Sequence, residues 1–165
     1  MHSKTRTLAR VAVFSALCVI GSFIPFPSPV GTIAFDSFPG FLASLAFSCW
    51  EGALVCFIGH LATSIIHGFP LGLLHIAIAF GMGLAGFLTG FIKEKAGVLP
   101  GCVCGVVVNV LLFPLATPVM GFSGALLLTP YLAVASSLNM FLAALIYGIL
   151  KRVKLVGHNS FNGKN

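Results

Sequence analysis

Acidic side chains are nearly missing from this chain: Asp36, Glu51 and Glu94 are the only three in 165 residues. So few carboxylates leave little from which to build a hydrolytic site that needs an acid and a base. Charge of either sign is scarce, at 7% of residues against roughly 25% in an ordinary soluble domain, while 58% are hydrophobic. The composition excludes a soluble fold and marks an integral membrane protein. A nucleotide-binding loop, a Ser/His/Asp arrangement and zinc-ligand spacing are all absent. Cys18, Cys49, Cys56, Cys102 and Cys104 follow no pairing pattern, and the Cys102-x-Cys104 step reads as small thiols packing within a helix. The first apolar run resembles a signal peptide, yet no A-x-A site follows it and Leu17 precedes Cys18, so it is read as a retained helix.

What the chain does have is long apolar runs. At about 20 residues per spanning helix, it accommodates about six, so residues 1–165 are read as one all-α integral membrane domain, a compact bundle of six transmembrane helices. Proline, glycine and charge punctuate the runs and predict helices over 8–24, 34–48, 53–67, 71–92, 98–115 and 125–150, with a disordered tail over 155–165. The stretch PFPSP, with Pro25, Pro27 and Pro29, cannot continue a helix.

Basic residues set the expected orientation. Lys4, Arg6 and Arg10 precede the first helix, Lys93 and Lys95 separate the fourth from the fifth, and Lys151, Arg152 and Lys154 follow the sixth. With six crossings all three clusters fall on one side, which the positive-inside rule makes cytoplasmic, together with both termini. The net charge of +6 is then accounted for by anionic lipid headgroups, without a nucleic-acid partner. The outer side receives the proline-rich loop, the turn at Gly68–Pro70 and a loop over TPVMGFSG, residues 117–124.

Between Arg10 and Lys93 the only charged residues are Asp36 and Glu51. An unpaired carboxylate in an apolar medium costs several kcal/mol or is neutralised by protonation. Asp36, among Phe35, Phe38 and Phe41, therefore sits at a membrane surface or binds something, and the topology puts it at the outer mouth of the second helix. There it either orients a ligand or caps the helix. His60, Thr63, Ser64 and His67 share one stripe of the third helix by steps of three, four and seven. His75 lies in the outer half of the fourth helix, Asn109 near the middle of the fifth, and Ser136 with Asn139 near the middle of the sixth. Polar groups in spanning helices face the bundle interior, so these either converge on one externally open cavity or hydrogen-bond the helices to one another. Phe35, Phe38, Phe69 and Tyr131 are candidates to stack on a flat ligand, and Glu51 is expected to cap the third helix.

The basic N-terminus, the Ala12-x-x-x-Ala16 spacing, the proline-rich outer loop and six compact helices resemble the substrate-binding S component of energy-coupling factor (ECF) vitamin transporters. That resemblance implies a prokaryotic cell-membrane subunit and no enzyme. It implies docking through Ala12 and Ala16 on a transmembrane coupling subunit, with two partner ATPases consuming the ATP and no cofactor in the chain itself. Within the family, SPVGTIAFDSFPGF and GHLATSIIHGFPLGLLH are similar to the subunit assigned to α-ribazole uptake for cobalamin salvage. The expected ligand site is then Asp36, His60, His67, His75, Asn109, Asn139, Phe35, Phe38 and Tyr131, without a metal. Another flat vitamin would satisfy the same pocket, and His60, His67 and His75 leave cobalt or nickel uptake open as an alternative. A structural or channel-forming protein is the remaining reading.

Overall fold

The computed structural model describes residues 2–28 and 33–156. They form α1 (His2–Ser22), α2 (Phe38–Ala46), α3 (Cys49–Ile66), α4 (Leu74–Ala96), α5 (Val98–Val110), a 3-10 turn (Phe113–Ala116) and α6 (Thr117–Arg152). Among the described residues the one extended pairing is an isolated antiparallel bridge between Pro25 and Ala34. Four stretches are long and apolar enough to cross a membrane: Lys4–Ser22, Cys49–Ile66, Leu74–Ala96 and Val98–Arg152, the last holding both α5 and α6. Large apolar side chains such as Leu8, Ile20, Phe80, Leu127 and Phe141 point away from the bundle, as side chains facing lipid do.

The short α2 occupies the centre. Seven of its nine residues, Pro39 through Leu45, are buried, and Phe41 and Leu45 anchor a core shared with Cys56, Met82, Ala85, Met140 and Tyr147. Nine residues span only about 14 Å, less than half of the hydrocarbon thickness, so the span expected over 34–48 is corrected: α2 alone does not cross a bilayer. Residues 34–37 are instead a turn, because Ala34 is held in the bridge to Pro25 and Pro39 favours a helix start just before it. Where the turn passes the end of α1, a Cβ on Gly21 would run into the Phe35 carbonyl, so glycine there lets the Asp36 segment lie against the helix.

Other boundaries also move. The fifth helix stops at Val110, short of the expected Leu115, because Pro114 cannot continue it and the chain folds through the 3-10 turn. Most of the loop expected over 117–124 is helical: Pro118 takes an N-terminal helix position, where no N–H is needed, and non-helical Gly121 (φ 69°, ψ 167°) divides α6 into two helices at a kink. The first helix begins at His2, ahead of the expected residue 8, and α4 runs on to Ala96. Of the expected disordered tail, residues 157–165 lie outside the described residues.

One end of the bundle carries the basic residues. Arg10 makes two 2.8 Å hydrogen bonds to Glu51, Nε to Oε2 and Nη2 to Oε1, and its guanidinium lies 4.5 Å from the Phe47 ring centre. Ser48 is the residue that caps α3, accepting from the Glu51 amide, so Glu51 has an ion-pairing role in addition to its place in the first turn. Trp50 meets Phe87 edge-on at 4.8 Å, and Lys93 lies 5.5 Å from the Tyr147 ring centre. These contacts bring the starts of α1 and α3 and the ends of α4 and α6 to the same end.

Candidate ligand-binding cavity

Away from the basic end the helices enclose about 80 Å³ of free space. Its wall is built from Ile33, Ala34, Asp36 and Ser37 ahead of α2, His60 of α3, Leu71, His75, Ile78 and Met82 from the α3–α4 turn and α4, and Asn109 of α5. Leu112, Phe113 and Ala116 follow from the next turn, and α6 adds Leu128, Leu132, Ala135, Ser136 and Asn139. The α6 contribution follows helical periodicity, since 128, 132, 135 and 139 fall on one face. The wall is mostly aliphatic, with polar groups arriving separately from several elements.

Asp36 is buried, and its Oδ1 accepts from the Ser37 hydroxyl at 3.1 Å. It belongs to the turn ahead of α2, outside the four long apolar stretches. The Thr63 hydroxyl of α3 is a second partner for the carboxyl, and the His67 ring lies within electrostatic reach of it. On the wall contributed by α6, the Ser136 hydroxyl is buried with no hydrogen-bond partner among the described residues.

The two wall histidines form a directed chain. Leu71 N–H donates to His75 Nε2 at 3.3 Å, and His75 Nδ1 stands 3.2 Å from His60 Nε2. A neutral His75 that accepts at Nε2 carries its proton on Nδ1 and donates it to His60, so a neutral His60 keeps its own proton on Nδ1. The rings tie the α3–α4 turn to α3, and the edge of Phe69, at φ 52°, packs on His75 with centroids 5.7 Å apart. Two imidazoles engaged with each other are not free to share an ion, and no group of three or more metal-ligating side chains occurs among the described residues.

The structure thus brings Asp36, His60, His75, Asn109 and Asn139 to one cavity and leaves the other expected residues off its wall. His67 ends α3 and donates from Nδ1 to the Thr63 carbonyl at 2.8 Å. Phe35, Phe38 and Tyr131 are half-buried elsewhere. The one aromatic ring on the wall is Phe113, which sequence reasoning passed over, as it did Leu71, Met82 and Leu128. The neighbouring Pro114 was the available signal, because a proline in an apolar run marks the turn that carries Phe113 inward. On α1, Val11, Ser15, Cys18 and Ser22 point inward, whereas Ala12 and Ala16 are exposed on the outside.

Apolar helices facing outward and polar groups facing an internal cavity are the build of a multi-pass membrane transport protein. The chain matches the family described as ECF-type riboflavin transporter, S component, over residues 2–155, and it belongs to that family. No curated protein and no solved structure matches it. It is accordingly the substrate-binding subunit of an ECF transporter, not a member of an enzyme family, and its partners are the transmembrane and ATPase components and a small-molecule substrate.

Proposed function

We propose that this subunit captures a flat heteroaromatic vitamin carrying a hydroxylated five-carbon arm. Riboflavin, which the family description names, and α-ribazole, suggested by SPVGTIAFDSFPGF and GHLATSIIHGFPLGLLH, both fit that description. Each joins a dimethyl-substituted fused ring to such an arm. The observation that carries the reading is the single cavity in which aliphatic walls face Asp36, His60, Asn109 and Ser136. Ile78, Met82, Leu112 and Leu132 suit the ring, and the polar groups suit ring heteroatoms and hydroxyls. Asp36, a pure acceptor when ionised, suits two hydroxyls of the arm. The free space of about 80 Å³ is below the roughly 300 Å³ at which small-molecule sites begin, so a ligand of this size displaces part of the wall as it binds.

The same proposal includes six crossings, with α2 and the turn before it together making the second, and the basic end in the cytoplasm with both termini. It also includes docking of the exposed Ala12 and Ala16 on the coupling subunit, where small side chains permit close helix approach, with ATP hydrolysed by the partners. Isothermal titration of the purified full chain with riboflavin and with α-ribazole tests the ligand. Saturable binding of one, at one ligand per chain, is the expected result, and no heat from either with a folded protein would overturn it. For the topology, a cysteine placed in the 111–116 turn should label from outside intact cells. Labelling only after permeabilisation would reverse the orientation.

A further inference from the structure

Asn139 lines the cavity, but its polar atoms are already engaged. Its Nδ2 donates to the Ala34 carbonyl at 3.0 Å and to the Ala135 carbonyl at 2.9 Å, and its Oδ1 accepts from the Phe38 amide at 2.8 Å. Both N–H groups are consumed, and one acceptor position remains. The two long-range partners, Ala34 and Phe38, stand two residues to either side of Asp36. Phe38 begins α2, and Ser37 supplies no side-chain cap to it, so the amide that a helix start normally leaves without an intrahelical partner is satisfied from α6. The side chain is 2% exposed, and Ala34, its carbonyl partner, is 3% exposed. The Asp36 carboxyl is met on its own side by the Ser37 hydroxyl at 3.1 Å and the Thr63 hydroxyl of α3, whereas the Asn139 bonds act on the backbone to either side of it.

We infer that Asn139 is a positioning residue that clasps both flanks of the Asp36 turn, holding the carboxylate on the cavity wall, and that it does not recognise the ligand directly. The inference rests on the assignment of Asp36 to the ligand site. It explains why a polar side chain of α6 reaches across to a turn more than a hundred residues earlier in the chain. A single side chain that bonds one residue's carbonyl and another's amide fixes the separation of the two, and with it the direction of the side chain between them. When a ligand displaces the wall, the clasp is the contact through which α6 senses the turn.

Hydrogen exchange of the full chain in detergent, resolved at Phe38, tests the clasp without any ligand. The wild-type Phe38 amide should exchange at least tenfold more slowly than an uncapped helix start. Asn139→Ala should abolish that protection while amides in the middle of α3 keep theirs. Free exchange at Phe38 in the wild type would overturn the clasp even if no variant folds. Titration with whichever of riboflavin and α-ribazole the wild type binds then tests the coupling. Asn139→Ala and Asp36→Asn should each weaken binding about tenfold or more, and the double variant should be no weaker than the weaker single within about twofold, because both act through one carboxylate. Fully additive losses would overturn the positioning role and return Asn139 to the ligand's own contacts. If the wild type binds neither riboflavin nor α-ribazole, the ligand assignment fails separately, and the exchange result still decides the clasp.

Discussion

The two ends of this bundle treat their polar groups in opposite ways. At the basic end, Arg10 and Glu51 satisfy each other through two hydrogen bonds, Arg10 also covers Phe47, and Lys93 and Lys95 lie over Tyr147 and Phe91. At the cavity end, Asp36 is buried without a cation in hydrogen-bonding contact among the described residues, Ser136 has no partner there, and Phe69 is held at positive φ. Buried polar groups are ordinarily satisfied, and a cluster of exceptions marks a place where something else completes the bonding. The closed end holds the helices together through satisfied pairs, and the open end is where the proposed ligand would complete the bonding.

That contrast breaks most completely in transport. Replacing both Ala12 and Ala16 with Leu alters neither end, since the two side chains lie outside the bundle. Uptake in cells with the partner subunits should fall to background while ligand binding by the isolated chain stays within about twofold of wild type. Loss of binding would show that this face of α1 supports the cavity.

Asp36→Asn sharpens the comparison at the open end. Loss of a charge-assisted hydrogen bond of roughly 1.5 to 3 kcal/mol predicts an affinity about ten- to a hundredfold weaker by titration. Asn keeps the side-chain shape, so the loss should appear in affinity while stability holds within about 1 kcal/mol.

At the closed end the roles reverse. Arg10→Ala strands Glu51, which is 8% exposed, while Arg10 itself is 40% exposed and partly screened. A loss of about 2 kcal/mol in stability is expected, below the figure for a fully buried pair, with ligand affinity unchanged. Equal loss of affinity would mean that the two ends are coupled through α3. The smallest effect belongs to Ser136→Ala. Removing a buried hydroxyl that lacks a partner should leave stability equal or raise it by about 1 kcal/mol, while ligand affinity drops by several fold.

Much of this was readable in advance because a membrane interior leaves polar side chains few places to go. His60, His75, Asn109 and Asn139 stand in apolar helices, and each had to turn inward, so their convergence followed from placing them on helices of known period. Phe35, Phe38 and Tyr131 were misplaced on the wall because an aromatic ring is equally at home in lipid, in a core or against a ligand. The role of Asn139 was also hidden: an amide that meets a ligand and one that clasps a turn look the same until the atoms at 2.8 and 3.0 Å are known.

The sequence by itself determined that this chain lives in a membrane, that its basic clusters share one end and that its scarce polar residues face inward. Hydropathy, charge and helical period are local properties, and burial in lipid enforces them residue by residue. Tertiary structure alone decided that α2 is a nine-residue core helix, that residues 117–124 continue a kinked α6, and that Glu51 pairs with Arg10 while Asp36 pairs with no cation among the described residues. Each of these depends on which groups meet across long separations in the chain. Only packing brings Arg10 to Glu51, or Asn139 to the two flanks of Asp36, and so decides which buried polar group is satisfied and which is left without a partner.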